Sequence, residues 1–258
     1  MTNHFDADTA LEGADGHWRA QVTDRWFVQK GPNGGFVAAL ATRALSEIAG
    51  GGGRSPRSLT LHYLAPPEAG EIELRAQLER AGRTTTFASL RVLQGGDTVA
   101  YGIGCCSAWR EGQPEWDVLE RPDVPRPDEL GGLEPAEGLP TFLRNYEMRP
   151  LPAPHVGAWM RAAEPRPSDP VLLAALTDAW VPAAFPHMDA PTFVPTIDLT
   201  IHWRAAPGVP AGDHPWVLGL FTTRLGAGGT WEEDGELWSE DGVLLAHSRQ
   251  LAIVRNPR

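Results

Sequence analysis

The sequence TIDLTIHW at residues 196–203 decides the fold. Its apolar side chains stand at the odd-numbered positions and its polar side chains at the even-numbered positions. Because successive side chains of a β-strand point to opposite faces, this alternation predicts a strand with one packed face and one polar face. The polar face carries Asp198 and His202, so the strand offers groups for chemistry as well as for packing.

A related segment stands 140 positions earlier in the chain. Residues 58–67 read SLTLHYLAPP and residues 198–207 read DLTIHWRAAP, so Leu, Thr, His, Ala and Pro recur in register. This recurrence predicts two related halves, each built around one such strand. The halves differ in chemistry, because Asp198 in the second half stands where the first half has Ser58.

Each half also contains a pattern typical of one enclosed helix. In the first half, residues 36–48 are apolar on nearly every side, and Asn33 precedes them as a suitable N-cap. In the second half, residues 168–170 read Ser-Asp-Pro, which predicts a helix start, and the apolar run that follows extends to Trp180. Asp178 then lies inside an apolar helix, where a carboxylate needs a partner.

The other regular stretches alternate with period two and predict antiparallel strands. They lie at residues 59–64, 71–80, 84–93, 98–109, 156–163, 196–204, 216–225, 230–239 and 243–254, with one or two more before Gln29. The predicted fold class is therefore α+β, with two antiparallel sheets that each wrap round a central helix. Joining these sheets edge to edge would remove two exposed strand edges.

A stretch of different composition separates the two halves. Residues 111–145 contain six prolines, many acidic residues and few apolar ones, a composition that predicts a surface linker. The predicted organisation is a first unit at residues 1–110, the linker at 111–145, and a second unit at 146–258 that carries the site.

Composition limits the classes of partner. The 258 residues include 22 Lys and Arg against 33 Asp and Glu, a net charge of −11, so we expect no nucleic-acid partner. No apolar run approaches the roughly 18 residues of a membrane span, and the start of the chain has no signal-peptide pattern, so we expect a cytoplasmic protein. Cys105 and Cys106 are adjacent on a predicted strand and point to opposite faces, which predicts free thiols in a reducing compartment.

Four segments, taken in order, resemble a known family. They are the glycine pair 34–35 that opens the first helix, LTLHYL at 59–64, IDLTIHW at 197–203 and DGVLLAHSRQ at 241–250. With this order and spacing the chain resembles the double-hotdog acyl-CoA thioesterases of the type II family, including thioesterase-like proteins of actinobacteria. The resemblance covers nearly the whole chain. It implies a double-hotdog fold and hydrolysis of an acyl-CoA substrate with no cofactor.

Enzymes of this family carry an Asp, a Ser or Thr, and a Gln that position a water molecule for attack on the thioester carbonyl. The resemblance places the Asp at Asp198 and the Gln at Gln250. It places the hydroxyl near the end of a strand, where we select Thr223 and keep Thr222 and Arg224 as alternatives.

The helix starts suggest groups that bind the substrate. Backbone N–H groups at a helix start can bind an oxyanion, and Asn33, Gly34 and Gly35 fit that role. Asp178 is either a structural hydrogen-bond anchor or a second polar group in the acyl-CoA site. No histidine or acidic spacing indicates a metal ligand set, so we predict no metal.

Two other functions remain open at the level of sequence. A hotdog hydratase acting on 2-enoyl thioesters is disfavoured because the chain lacks a G-D-x-N-P-x-H type segment. A protein that binds acyl-CoA without turnover is favoured if Arg224 occupies the hydroxyl position. A monomer and a homo-oligomer are both compatible with the sequence, because two fused hotdog units already supply each other's pairing partner.

Overall fold

A computed structural model describes residues 3–133, 138–188 and 194–254 of the chain. These residues form three α-helices and thirteen strands. The helices are α1 (His4–Asp8), α2 (Gly34–Ala49) and α3 (Pro170–Leu176). The strands are β1 (Glu12–Ala14), β2 (His17–Val22), β3 (Arg54–Tyr63), β4 (Gly70–Ala81), β5 (Thr85–Gln94), β6 (Asp97–Ala108), β7 (Tyr146–Pro150), β8 (Gly157–Ala162), β9 (Thr196–Trp203), β10 (Val217–Thr222), β11 (Gly226–Ala227), β12 (Thr230–Ser239) and β13 (Leu244–Ile253).

The strands form one continuous antiparallel sheet, where the sequence predicted two. Their order is β1-β2-β4-β5-β6-β3-β9-β13-β12-β10-β8-β7, and β11 pairs with β12 at one side. The two repeated segments join the halves, because β3 and β9 are hydrogen-bonded neighbours with Thr60 opposite Thr200. The Thr60 and Thr200 hydroxyls lie 3.0 Å apart across this junction. Edge-to-edge joining therefore gives both central strands a partner on each side.

Helix α2 forms for the reasons that its sequence suggested. The Asn33 side chain accepts a hydrogen bond from the Phe36 N–H, which is a standard N-cap, and the helix ends at Gly50. Eleven of its sixteen residues are buried, including Phe36, Leu40 and Leu45. A helix that is apolar nearly all round needs cover on every side, and the sheet together with α3 supplies it.

Helix α3 is shorter than its sequence predicted. Asp169 is the N-cap, since its carboxylate accepts the Leu172 N–H at 2.8 Å, and Pro170 fills the first turn. The helix ends at Leu176, and the Thr177 hydroxyl donates to the Ala174 carbonyl just beyond it. The prediction that the helix reaches Trp180 is therefore wrong, and Asp178 lies directly after the helix.

The stretch predicted to be a linker lies partly on residues 134–137, which are outside the described residues. Residues 109–126 form neither helix nor strand, but they do pack against the second half. The Trp159 indole donates to the Pro125 carbonyl at 2.9 Å, and Val124 and Leu130 pack on a cluster that includes Trp216. In the described part of the chain, no helix is long and apolar enough to cross a bilayer.

The buried position of α2 allows a test of the fold. Leu40 is fully buried, so Leu40→Ala should lower the free energy of unfolding by about 2–5 kcal/mol through lost burial and a residual cavity. Glu47, which is exposed on the same helix, provides the control, and Glu47→Ala should change the stability by less than about 0.5 kcal/mol. Urea denaturation followed by circular dichroism measures both, and equal effects would contradict the enclosed position of α2.

Candidate active site

Asp178 connects the end of α3 to the start of α2. Its Oδ2 accepts hydrogen bonds from Asn33 Nδ2 at 2.9 Å and from the Gly35 N–H at 3.0 Å. Asn33 Nδ2 also donates to the Asp178 backbone carbonyl at 2.7 Å. A buried carboxylate thus lies at the N-terminus of the main core helix, where the helix dipole favours negative charge.

The first two residues of α2 are glycines, and they allow α2 to lie close to Asp178 and to the end of α3. A Cβ at Gly35 would collide with the Ala175 carbonyl of α3, and a Cβ at Gly34 would lie 2.9 Å from Asp178 Oδ2. Residues without a side chain are therefore required where α2 meets α3. The Gly34 carbonyl accepts the Tyr63 hydroxyl at 2.8 Å, which fixes the start of the helix against β3.

Gln250 on β13 lies at the centre of a second set of hydrogen bonds. Thr196 Oγ1 donates to Gln250 Oε1 at 2.8 Å, while Gln250 Nε2 donates to Glu233 Oε1 at 2.6 Å and to Asp178 Oδ1 at a longer 3.5 Å. Gln250 and Glu233 are only 6% and 4% exposed. We call Asn33, Asp178, Thr196, Glu233 and Gln250 the polar cluster.

Strand register explains why these side chains meet. Glu233 on β12 is directly opposite Gln250 on β13, so both point to the same inner face. The pairing of β13 with β9 shifts by one residue between Leu251 and Ala252, so that Ala252 is opposite Thr196 and Leu251 is opposite Asp198. This bulge places Thr196 within hydrogen-bond distance of Gln250, although strict alternation would group Thr196 with Asp198.

Burial and hydrogen bonding oppose each other at the two carboxyl groups of the cluster. Burial raises the pKa of Asp178 to about 6, although hydrogen bonds from Gly35, Gln250 and Asn33 favour the charged form. Burial also raises the pKa of Glu233 to about 7, against hydrogen bonds from the Ala183 N–H and Gln250, and the charges of Asp178 and Asp234 raise it further. Both groups therefore exchange protons near neutral pH.

The structure brings together only part of the predicted site. Gln250, Asn33, Gly35 and Asp178 meet as described, and Asp178 acts as the hydrogen-bond anchor between the helices. In the described part of the chain, Asp198 forms no hydrogen bond to these groups; it is half-buried, opposite His62 of β3 and Leu251 of β13. Burial raises the pKa of Tyr63, and the charges of Asp178 and Asp198 raise it further, so Asp198 also lies near the start of α2.

The predicted hydroxyl group is also at a different position. Thr223 follows the end of β10, and the neighbouring Thr222 and Arg224 are exposed. The Arg224 guanidinium lies 3.8 Å from Asp234, while the hydroxyl that bonds to Gln250 belongs to Thr196. Gln250 thus contacts Asp178 and Thr196, while Asp198 and Thr223 stay predictions for the Asp and the hydroxyl of the site.

Sequence reasoning missed Thr196 and Glu233. A signal for Glu233 was present, because Trp231, Gly235 and Leu237 alternate on β12 and place position 233 on the same inward face. Strict alternation placed Thr196 on the same face as Asp198, and no residue pattern in either strand indicated the bulge that turns Thr196 towards Gln250. Within the described ranges, no group of three or more His, Cys, Asp or Glu side chains is arranged to bind a metal ion.

Comparison with protein families gives two adjoining matches. Residues 22–107 match the family model described as acyl-CoA thioesterase N-terminal domain, and residues 117–254 match the acyl-CoA thioesterase C-terminal domain. An uncharacterised protein of Mycobacterium tuberculosis is 24% identical over 273 residues, which cover 92% of this chain and 90% of that protein.

Solved structures show the same fold. A protein of unknown function with a hot dog fold from Alicyclobacillus acidocaldarius is 28% identical and superimposes with a TM-score of 0.91, covering 100% of both chains. The acyl-CoA thioesterase II TesB2 of Mycobacterium marinum is 20% identical, with a TM-score of 0.80 and 98% of each chain covered. The chain therefore has a hotdog fold, which confirms this part of the prediction.

The raised pKa of Asp178 predicts a change of stability with pH. Its pKa of about 6 in the folded protein exceeds the ordinary 3.8, so the folded state binds this proton more tightly than the unfolded chain does. The resulting stabilisation is complete below pH 3.8 and is lost as the pH rises through about 6. Asp178→Asn, which cannot titrate, should gain stability relative to wild type by on the order of 1 kcal/mol between pH 5 and pH 8. Urea denaturation across this range measures the difference, and a difference independent of pH would contradict the burial of an ionisable Asp178.

Proposed function

The chain belongs to the acyl-CoA thioesterase family, and we propose that it hydrolyses the thioester of a fatty acyl-CoA to a free acid and coenzyme A. The observation that carries this proposal is the contact of Asp178, Thr196 and Gln250 through hydrogen bonds at the start of α2. These are the residue types, Asp, Ser or Thr, and Gln, that the family resemblance implies.

Asp178 is the proposed base for the attacking water. A general base works best when its pKa is near the working pH, and burial raises the pKa of Asp178 to about 6. The group is then mostly ionised at neutral pH but retains more basicity than an exposed carboxylate. The bonds from Asn33 and Gly35 occupy Oδ2, so Oδ1, which faces Gln250, is the oxygen that would accept the proton of the water.

Thr196 and Gln250 are proposed to hold that water in place. The Thr196 hydroxyl uses its hydrogen on Gln250 Oε1, so its oxygen lone pairs remain able to accept from water. Thr196 is half-buried, so part of this residue remains accessible from outside the core. The geometry would orient a water between Asp178 Oδ1 and Thr196 Oγ1 beside the carbonyl carbon of the thioester.

The start of α2 is proposed to stabilise the charge that develops on the thioester oxygen. The positive end of the helix dipole faces the site and would favour an oxyanion nearby. In the structure, Asn33 and the Gly35 N–H bind Asp178 rather than standing free. We therefore assign these residues to positioning the base, in place of the direct substrate binding that the sequence suggested for Asn33, Gly34 and Gly35.

We interpret the two halves as fused hotdog units, residues 1–110 and 146–258, of which only the second carries a site. Leu59 is opposite Gly104 in the first half as Leu199 is opposite Gln250 in the second. A Cβ at Gly104 would lie 2.6 Å from Leu45, so the side chain of α2 fills the space that Gln250 occupies in the other half. One active site per chain follows from this asymmetry.

The alternative of a protein that binds acyl-CoA without turnover rested on Arg224 in the hydroxyl position. Arg224 is exposed, and its backbone N–H donates to Glu232 at 2.8 Å, which favours the hydrolytic proposal over this alternative. Both cysteines are free, which supports the proposed cytoplasmic location.

Matched aspartate variants test the proposed base. Asp178→Asn keeps the size of the side chain but removes the base, so kcat for release of free coenzyme A thiol should fall at least about 100-fold. Asp198→Asn tests the position that the family resemblance implied; with Asp178 as the base, this variant should keep kcat within about twofold of wild type. The assay uses short-, medium- and long-chain acyl-CoAs. The assignment fails if Asp198→Asn is the variant that loses turnover, and the function fails if folded wild type releases no thiol from any chain length.

A pair of threonine variants tests the second contact. Thr196→Val removes the hydroxyl that holds Gln250 Oε1, and kcat should fall about tenfold, the equivalent of one lost hydrogen bond in the transition state. Thr200→Val is the control, because Thr200 lies on the same strand and its hydroxyl pairs with Thr60 across the junction. Equal losses in the two variants would point to damage of β9 rather than a role in chemistry.

A further inference from the structure

We propose that Glu233 is a positioning residue that acts through Gln250: its carboxylate holds the amide in the one orientation that presents Oε1 to Thr196 and Nε2 to Asp178. This inference rests on the proposed function, because the orientation matters for turnover only if Gln250 helps to place the water. Glu233 itself does not touch the water in the proposed arrangement.

Glu233 is buried, and each oxygen of its carboxylate accepts a hydrogen bond. One oxygen accepts Gln250 Nε2 at 2.6 Å, and the other accepts the Ala183 N–H at 2.6 Å. Ala183 belongs to the segment that follows Asp178, so Glu233 fixes this segment as well as the amide. A buried carboxylate is costly to desolvate, and two short bonds from fixed donors offset part of that cost.

The orientation of an amide depends on what faces its oxygen and its nitrogen. Rotating the Gln250 amide by half a turn would direct Oε1 at the oxygens of Glu233 and Asp178, and would direct Nε2 at the Thr196 hydroxyl. Two acceptors in contact repel each other, so an ionised Glu233 excludes this rotated state. A protonated Glu233 can instead donate to Oε1 and would permit it.

The protonation of Glu233 therefore controls the orientation of Gln250. The groups that surround Glu233 favour a proton that exchanges near neutral pH, because burial and the charges of Asp178 and Asp234 raise its pKa to about 7. Arg224 and Arg249 instead pair with Asp234, at 3.8 and 3.4 Å, and within the described residues no cationic side chain forms an ion pair with Glu233. Turnover should thus require two ionised carboxyl groups, Asp178 and Glu233.

Glu233→Gln is the variant that tests this role. The new amide has one acceptor oxygen for two donors, Ala183 N–H and Gln250 Nε2, so it can no longer hold the Gln250 amide. We expect kcat to fall about tenfold with KM changed less than about twofold. On the acid side of the pH profile, log kcat/KM should fall with a slope near two in wild type and near one in the variant.

Glu236→Gln provides the matched control. Glu236 lies on the same strand but on the opposite face from Glu233. Its carboxylate accepts a hydrogen bond from the Trp238 indole at 3.1 Å. This variant should keep the kcat and the acid slope of wild type. Wild-type kinetics in Glu233→Gln, or the same change in both variants, would overturn the proposal.

A nuclear magnetic resonance measurement tests the inference without reference to turnover. The side-chain amide signals of Gln250, identified by their loss in Gln250→Ala, should shift with a midpoint near pH 7 in wild type. Glu233→Gln should abolish this step and leave only the smaller one near pH 6 that titration of Asp178 causes. Constant signals in wild type would overturn the role of Glu233 even if the protein hydrolyses acyl-CoA. A shift that depends on Glu233 in a protein without turnover would instead reject the proposed function and retain the contact.

Discussion

The hydrogen bonds of Asp178 are the constraint on which the rest of the structure depends. One carboxylate receives an amide N–H from Asn33 and a backbone N–H from Gly35, and so joins the end of α3 to the start of α2. The close approach requires glycine at positions 34 and 35, because side chains there would meet Asp178 and the Ala175 carbonyl. The same hydrogen bonds therefore pack the two helices together and hold the carboxylate that is the proposed base. The cost of burying the charge appears as a raised pKa, which is also what a general base needs.

The continuous sheet gives the two halves equivalent frames, yet only one frame holds a polar cluster. The two helices account for this difference. Helix α2 has sixteen residues and Leu45 fills the space beside Gly104, whereas α3 has seven and ends before Asp178. The short helix lets the chain turn Asp178 towards Gln250, so the polar cluster forms beside α3, whereas the corresponding position beside Gly104 is filled by Leu45. Glu233 adds a second carboxyl group to the latter, bound to the same Gln250 amide.

Much of the fold was predictable from local rules. Alternating apolar and polar residues located β3 to β6, β8 to β10, β12 and β13, with errors mostly at the strand ends, because pairing partners beyond a strand end decide where hydrogen bonding stops. The Asn33 cap and the Pro170 turn placed both helix starts, since capping involves only neighbouring residues. The four segments that carry the family resemblance likewise indicated the acyl-CoA thioesterases. The last of these segments ends at Gln250.

The composition of the site was decided by contacts between residues far apart in the chain. Strict alternation grouped Thr196 with Asp198, but a bulge opposite Leu251 and Ala252 places Thr196 next to Gln250. Such a shift depends on how β9 pairs with β13, and no local pattern in either strand specifies it. Asp178 likewise obtained its role from partners about 145 residues away, at the start of α2. The sequence by itself determined the strands, the caps and the family, because these follow from neighbouring residues; the tertiary structure alone decided which Asp and which Thr meet Gln250, because register and helix length are properties of the assembled sheet.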